Sequence, residues 1–453
     1  MNTIIVGCGK VGQKLTEKLS QEDNQNITVV DLRANVIQDI INRHDVMGVV
    51  GSGSSINTLL EAGIAEADIL IAVTGSDELN LLTCLIAKKA GNVKTIARVR
   101  KPEYSKELHL FKEDLGLAMI INPEYTAANE IARLLRFPSA IQIDTFAKGK
   151  VEILKFKLPQ GSVLDGMVIA DISLKLNCDV LVCGVERGES AFIPDGSFVL
   201  KAGDLISLVA SPQNGAYFFK KIGIKTNRVK DTIIVGGGDT GYYLANRLLQ
   251  TGIRVKIIEQ DIKRCEALCE LLPKATIING DGTDKRLLLE EGIEYAESVV
   301  ALMNIDEENI LLSLFAKSKT EGKLVTKINK IEYDDVINDL NLDTIIYPKN
   351  ITAEYIVRFV RARMNTTSSK METMHLILDG KVEALEFRIR EEIPICGVAI
   401  ENLNIRKNVL IACINRKGQI ITPKGQDSIA VGDTVIVVTT NTGLKRIEDI
   451  LAN

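Results

Sequence analysis

Short runs of aliphatic and β-branched residues alternate along the first third of this chain with stretches whose apolar positions recur every three or four residues. Ile4–Val6, Ile27–Val30, Val46–Val50, Ile69–Val73, Thr95–Val99 and Met119–Ile121 have the length and composition of buried strands. Between them Val11, Leu15 and Leu19, and later Leu81, Leu82, Leu85 and Ile86, fall at helical spacing. Such alternation predicts right-handed βαβ crossovers and a doubly wound parallel sheet. The character changes near Phe137-Pro138. Beyond it, short β patterns at Val151–Leu158, Leu181–Val185 and Leu205–Val209 are broken by the turns Pro194-Asp195-Gly196 and Ala202-Gly203-Asp204. That predicts a small α+β module of roughly 80 residues.

The pattern then begins again. Ile4-Ile5-Val6-Gly7-Cys8-Gly9-Lys10-Val11-Gly12 returns 229 positions later as Ile233-Ile234-Val235-Gly236-Gly237-Gly238-Asp239-Thr240-Gly241. The same offset carries Gly51-Ser52-Gly53 onto Gly280-Asp281-Gly282, Glu61-Ala62-Gly63-Ile64 onto Glu290-Glu291-Gly292-Ile293, and Lys88 onto Lys317. It also carries Asp77-Glu78-Leu79-Asn80 onto Asp306-Glu307-Glu308-Asn309. Pro123 and Ala128 match Pro348 and Ala353, and Lys201-Ala202-Gly203-Asp204 matches Ala430-Val431-Gly432-Asp433. Met364 to Lys370 reads as a polar linker. Two copies of one unit therefore use up the chain. The expected class is α/β, with Rossmann-like doubly wound domains at 1–138 and 229–363, each followed by a small α+β domain at 139–225 and 371–453.

Composition narrows the function classes. The 453 residues exceed one ordinary core, and 46% hydrophobic with 25% charged residues is globular. A net charge of −4, with no Lys/Arg block, argues against nucleic acid as a partner. No apolar run approaches the roughly 18 residues of a membrane span, and the first strand begins too early for a signal peptide. Eight cysteines without disulfide-type spacing suit a reducing compartment.

The glycine turns carry the candidate chemistry. Gly7 permits the tight exit from a strand, Gly9 lets a pyrophosphate approach the backbone, and Gly12 lets the helix pack closely. The helix starting at Lys10 and Val11 then offers free N–H groups and its positive end to phosphates. Asp31, with Leu32 beside it, ends the second strand 19 residues after Gly12 and can accept from both ribose hydroxyls, which disfavours a 2′-phosphate. Arg33 is expected to point away from it. Cys8 is read as a small residue within the turn. Gly51, Ser52, Thr74 and Gly75 follow the third and fourth strands at the same sheet edge. Ser52, Ser54 and Thr74 are candidate adenine or ribose contacts; a helix N-cap is the alternative for Ser54 and the preferred reading of Asp77. Arg98 is the better phosphate candidate of the Arg98/Arg100 pair.

In the second copy the matching positions are Gly236, Gly238, Asp239, Thr240, Gly241, Glu259 and Asp281. Tyr242 and Tyr243 stand there for Gln13 and Lys14, and Met303-Asn304 for Thr74-Gly75, so ligand binding is expected at the first turn before the second. Neither turn is followed by a Walker-type Lys-Ser/Thr, which excludes ATP hydrolysis of that kind. A dehydrogenase needs an acid/base in a substrate domain. His44, His109 and His375 are unrepeated and read as surface or helix residues. Cys265 and Cys269, four apart on a helix, read as buried core cysteines rather than metal ligands. No metal site is expected.

At these residues the chain resembles the RCK (KTN) family, regulators of potassium transport, in a tandem form. The resemblance rests on Gly7 to Gly12, Asp31, Asp77-Glu78-Leu79-Asn80, Ala97-Arg98-Val99-Arg100, Asn122-Pro123 and Arg133 to Pro138, together with Gly236 to Gly241, Ile258-Glu259, Gly280 to Thr283 and Asp306 to Asn309. Ser52 departs from the Asp common at that place, which Asp281 keeps. The resemblance implies a non-enzymatic regulatory subunit assembled as a tetrameric RCK ring at the cytosolic face of a Trk-type potassium channel or transporter. It further implies that NAD or NADH, and ATP or ADP, bind the Rossmann-like domains and shift the ring between conformations. By the same resemblance, the helix after Pro123 crosses over to pack a neighbouring domain through Ile131, Leu134 and Leu135.

Overall fold

The computed structural model describes residues 1–22, 25–101, 104, 115–136, 140–188, 190–224, 229–330, 334–340, 342–364, 369–378, 381–441, 443–444 and 446–452. His109, Phe137, Pro138 and the linker residues Asn365 to Ser368 lie outside these.

The first repeat runs β1 (Asn2–Val6), α1 (Lys10–Ser20), β2 (Asn26–Asp31), α2 (Ala34–Arg43), β3 (Met47–Val50), α3 (Ile56–Glu61), β4 (Ile69–Ala72), α4 (Asp77–Ala90), β5 (Lys94–Arg98), β6 (Leu117–Ile121) and α5 (Pro123–Arg136). It continues through β7 (Gln142–Phe146), β8 (Val151–Lys157), α6 (Ile169–Leu176), β9 (Leu181–Arg187), β10 (Ser190–Phe192), β11 (Leu205–Ala210) and α7 (Pro212–Lys221). The second repeat runs β12 (Asp231–Val235), α8 (Asp239–Gln250), β13 (Arg254–Glu259), α9 (Ile262–Leu271), β14 (Thr276–Asn279), α10 (Lys285–Glu290), β15 (Ser298–Ala301) and α11 (Asp306–Lys317). Then come β16 (Lys323–Lys327), α12 (Asp334–Asp339), β17 (Thr344–Ile346), α13 (Pro348–Met364), β18 (Ser369–Ile377), β19 (Val382–Ile389), β20 (Val409–Arg416), β21 (Gln419–Ile421) and β22 (Thr434–Thr439).

The chain divides into two compact units, each drawing on both repeats: Met1–Ala132 with Val229–Val360, and Arg133–Arg228 with Arg361–Asn453. The first unit holds two parallel six-stranded sheets, ordered β3-β2-β1-β4-β5-β6 and β14-β13-β12-β15-β16-β17. Each sheet reverses direction of winding beside its first strand, so a crevice opens at the carboxyl ends of β1 and β4, and of β12 and β15. Ile4, Val6, Leu70 and Ala72 are buried in the core of the first sheet, which explains its unbroken apolar strands. Leu15 and Leu19 on α1 are fully buried, and each such side chain contributes about 1.5–3 kcal/mol.

Tyr243, an oddity in the sequence, joins the two Rossmann-like domains of this unit. Its phenol donates to the Arg100 carbonyl at 3.0 Å and accepts from Asn122 at 3.1 Å. Its ring packs edge-on against Tyr125, and Lys18 on α1 pairs with Glu354 on α13 at 3.1 Å. A lysine at position 243, which has donors and no acceptor, could not take the bond from Asn122.

The second unit contains two five-stranded antiparallel sheets, β10-β9-β11-β8-β7 and β18-β19-β22-β20-β21. One hydrophobic cluster serves both, drawing Phe146, Ile153 and Val209 together with Ile377, Ala384, Ile436 and Val438. His375 corrects its sequence reading. It lies buried on β18, with Nδ1 2.6 Å from Asp144 Oδ1 on β7. Cys269 is a second correction: Cys265 is buried on α9, but Cys269 faces solvent. Among the described residues no cluster of three His, Cys, Asp or Glu could hold a metal, and no helix is long and apolar enough to cross a membrane.

Candidate functional site

Three glycines of the first turn are required for three different reasons. Gly7 has φ +98°, and a Cβ there would come within 2.7 Å of the Thr74 nitrogen. A Cβ on Gly12 would sit 2.0 Å from the Gly7 carbonyl oxygen. On Gly9 it would meet nothing within 4 Å. Packing within the chain therefore explains Gly7 and Gly12 but not Gly9, whose missing side chain leaves open space above the turn. Gly9 is also the N-cap of α1 and offers no side chain to that end, so the first N–H groups of the helix are left for another acceptor.

Asp31 braces the turn from beneath. Its Oδ2 accepts the Cys8 N–H at 2.8 Å, and its Oδ1 accepts the Arg33 N–H at 3.0 Å and the Arg33 Nε–H at 3.2 Å. Arg33 was expected to point away; the pairing arises because the Arg33 amide and guanidinium can both reach one carboxylate oxygen. Burial pushes the Asp31 carboxyl up, but the Arg33 and Cys8 hydrogen bonds outweigh it and leave the group below the usual carboxylate value. The Cys8 thiol is buried and pushed up to about 12, first by burial and then by the Asp31 charge, so it is no reactive thiolate.

The loops opposite are fixed by side chains one position away from those expected. Ser55, not Ser54, caps α3 by accepting from the Thr58 N–H. Ser76, not Asp77, caps α4 by accepting from the Leu79 N–H. Asp77 is instead inside the helix, where Oδ2 accepts the Arg100 and Lys101 N–H groups at 2.9 and 3.0 Å. Asn80 is fully buried and holds the Thr74 loop: Oδ1 accepts the Thr74 N–H at 2.8 Å, and Nδ2 donates to the Arg98 carbonyl at 2.9 Å. Asn309 repeats this with Met303 and Lys327. The repeated Asp and Asn are thus fasteners of the loop at the sheet's carboxyl edge.

A cavity of about 590 Å³ lies over the first turn, within the size range of small-molecule sites. Gly7, Gly9, Lys10, Val11, Asp31, Leu32, Gly51, Ser52, Thr74, Gly75 and Arg98 line it. Cys8 and Gly12 do not, since both are turned into the protein. Sequence reading missed Arg33, Gly53, Glu124, Asn329, Pro348 and Lys349. The last three come from the second repeat, and the match of Pro123 with Pro348 was their only sequence signal. Arg98 and Glu124 form a wall, with Nη2 and Oε1 3.7 Å apart. Burial lowers the Arg98 guanidinium and raises the Glu124 carboxyl despite their attraction. Arg98 Nε and Glu124 Oε2 are buried without hydrogen-bond partners. An acceptor arriving beside Arg98 would relieve a cost of order 1–3 kcal/mol. These features fit a nucleotide.

The second turn has the same backbone and a different charge. Gly236 has φ +109°, a Cβ on Gly241 would lie 2.3 Å from the Gly236 oxygen, and one on Gly238 would meet nothing. Glu259 plays the bracing role, accepting the Gly237 N–H at 2.7 Å and the Asp261 N–H at 2.9 Å. Asp239 stands where the first turn has Lys10. Arg264 lies across this turn, donating to the Gly237 carbonyl at 2.8 Å and pairing with Asp239 at 3.2 Å. Thr240 is buried, and Asp281 accepts the Thr283 N–H and hydroxyl within its own loop. A carboxylate at the start of α8 already complements the helix dipole and repels a second anion.

Lys327 occupies the Arg98 position of the second sheet. It is buried, and its ammonium donates to the Leu302 carbonyl at 2.8 Å. Burial lowers its pKa to about 8, with Asp306 and Glu124 opposing. Between there and the ordinary lysine value of 10.5 the unfolded chain binds the extra proton, so rising pH favours the folded state. Chemical denaturation should show wild type gaining about 3 kcal/mol on Lys327→Met from pH 7 to the ordinary lysine range. A pH-independent difference between the two would refute the shift.

The chain is matched twice by two family models. The TrkA-N domain covers residues 3–123 and 232–348, and the TrkA-C domain covers 153–223 and 384–452. A Trk system potassium uptake protein TrkA homolog of Archaeoglobus fulgidus is 31% identical over 450 residues, spanning 99% of this chain and 100% of its own. The Trk system potassium uptake protein TrkA of Haemophilus influenzae is 32% identical, with 96% of this chain and 95% of its own covered. Among solved structures, the GsuK RCK domain superposes with a TM-score of 0.63 at 19% identity, covering 97% of this chain and 92% of that one. The GsuK channel bound to NAD gives 0.63 and 19%, covering 97% and 77%. At such identity the likeness concerns the fold.

Proposed function

This chain belongs to the TrkA family, and from that membership we propose that it is the nucleotide-sensing regulatory subunit of a Trk-type potassium uptake system. The observation that carries the sensing role is the cavity over the first turn, where Gly9 leaves open space and Asp31 sits beside Leu32 at the end of β2. NAD or NADH, or an adenine nucleotide such as ADP or ATP, is the ligand class. The α1 N-terminus, Lys10 and Arg98 would hold phosphate, and Asp31 the ribose hydroxyls. Ser52, Thr74 and Gly75 would border the base. The second turn, with Asp239 and Arg264 over it, is the weaker site. The proposal includes a homo-oligomeric ring, peripheral at the cytosolic face of the membrane, with domains at 1–138, 139–225, 229–363 and 371–453. It assigns the chain no catalytic step.

A ligand can bias such a ring only by binding its conformations with different affinity. The test is potassium flux into vesicles carrying the transporter with this chain added. NADH or ADP should change the flux at least about fivefold, the lower end of ordinary allosteric coupling. A flux indifferent to every nucleotide would overturn the regulatory reading, and steady NADH consumption by the chain alone would favour a dehydrogenase.

A further inference from the structure

The interior shared by the two antiparallel sheets is apolar, yet polar bonds cross it from one repeat to the other. Glu386 on β19 accepts the Ala147 N–H at 3.0 Å, and Lys150 donates to the Gly418 carbonyl at 3.4 Å. Lys381 lies 3.7 Å from Glu186 on β9. Shorter than any of these is the link between His375 on β18 and Asp144 on β7, at 2.6 Å, and both side chains are buried. Of the groups in these four links, only a histidine ordinarily changes charge between about pH 5 and 8.

Asp144 accepts at both oxygens: Oδ1 faces His375 Nδ1, and Oδ2 takes the Gln142 amide at 2.7 Å. A carboxylate so engaged is an acceptor only. It places a proton on Nδ1 and leaves Nε2 as the nitrogen that gains or loses one. The Phe146 ring packs against the imidazole with 4.5 Å between centroids, which keeps water from the pair. On β19 the residue across from His375 is Ala384, and two positions on, Glu386 is committed to Ala147. Glu383, on the other face of that strand, accepts the Gly443 N–H at 3.2 Å. On β8 the residue across from Asp144 is Ile153, and Lys155 beyond it lies 3.6 Å from Glu186. On β9 burial, aided by the Asp144 charge, pushes the Cys183 thiol up to about 12, so it stays neutral. Among the described residues, Asp144 is thus the carboxylate that meets the imidazole.

We propose that His375 and Asp144 form a proton-operated clasp between the two repeats, an ion pair when the ring is protonated and a neutral hydrogen bond when it is not. A carboxylate at this distance favours the charged ring. The extra stabilisation is therefore present in full below the ordinary histidine range and is lost as pH rises through the value of the folded protein. The ligand is a proton, and alkalinity loosens the joint between β7 and β18. The clasp needs no nucleotide. Its use as a second input to potassium uptake rests on the regulatory reading above.

The test is hydrogen exchange of the full chain from about pH 6 to about pH 9, with labelling times scaled to the intrinsic exchange rate. Peptides covering β7 and β18 should lose protection at least about fivefold over that range, while those covering β1 and β12 stay within about twofold. His375→Gln keeps an amide donor for Asp144 and cannot titrate, so its profile should be flat. A flat wild-type profile, or a fall of the same size in His375→Gln, overturns the clasp. Should His375→Gln fail to fold, ring-proton NMR of wild type and Asp144→Asn decides. The His375 ring should titrate, and Asp144→Asn should weaken its proton affinity at least about fivefold. A ring that keeps one protonation state throughout, or an affinity that Asp144→Asn leaves unchanged, overturns it too. Potassium flux measured at both ends of the pH range separates the two readings. If exchange supports the clasp but flux responds to pH identically in wild type and His375→Gln, the proton site stands and its regulatory use falls.

Discussion

Asp31→Ala is expected to weaken NADH and ADP binding about 30-fold or more, and Glu259→Ala to change it by less than about threefold. Asp31 lines the cavity with a carboxylate held below the usual range, so it is fully ionised at neutral pH. A hydrogen bond from a ribose hydroxyl to an ionised carboxylate contributes about 1.5–3 kcal/mol, and one lost at 2 kcal/mol gives about the 30-fold. The variant also deprives the Cys8 N–H of its acceptor and loosens the turn on which phosphates would rest. Glu259 makes the equivalent brace, but Asp239 and Arg264 dominate that site. Titration calorimetry of both variants decides this, with thermal unfolding as the control for folding. Equal losses would place binding at both turns or at neither. Sign also matters for pH: Asp31 is depressed in the folded protein, so its stabilising contribution exists above the ordinary carboxylate range and disappears as pH falls through the folded value.

Gly12→Ala and Gly9→Ala should separate folding from binding. The added methyl on Gly12 would lie 2.0 Å from a backbone oxygen that is itself fixed in the turn. Overpacking against main chain should cost about 3 kcal/mol or more, and the first sheet domain should unfold several degrees earlier. On Gly9 the methyl meets nothing within 4 Å, so stability should stay within about 0.5 kcal/mol. The methyl would instead occupy the space through which a phosphate approaches, and nucleotide binding should fall at least tenfold. A Gly12→Ala variant with wild-type unfolding, or a Gly9→Ala variant with wild-type affinity, contradicts this division.

What could be read from the sequence was periodic, and what could not was long-range or one residue wide. Strand–helix alternation and the 229-residue repeat foretold two doubly wound sheets, each followed by a small α+β module, because strand burial and helix facing write themselves into spacing; that the modules are built on five-stranded antiparallel sheets came from the structure. The cap expected at Asp77 falls to Ser76, and the one that was an alternative for Ser54 falls to Ser55, because adjacent polar residues compete for the same N–H groups. Arg33 turned toward Asp31 through a bond no pattern encodes. Asn329, Pro348 and Lys349 reach the first cavity from the second repeat, more than 300 positions after the glycine turn, which only packing of the two repeats could reveal. His375 looked like a surface histidine until β18 set it against Asp144.

The core shared by the two antiparallel sheets has a consequence for how such a chain could arise. Phe146 and Ile153 from one half, and Ala384 and Val438 from the other, fill one interior. A protein consisting of one half alone would expose that surface to water. The readiest cover would be an identical copy, giving a symmetric pair whose stability falls on dilution. Joining the halves in one polypeptide makes the encounter intramolecular and removes the dependence on concentration. It also frees the two faces to differ, since neither must match itself any longer. Lys10 in one turn and Asp239 in the other are what that freedom permits: one glycine turn, present twice, with its charge inverted in the second copy.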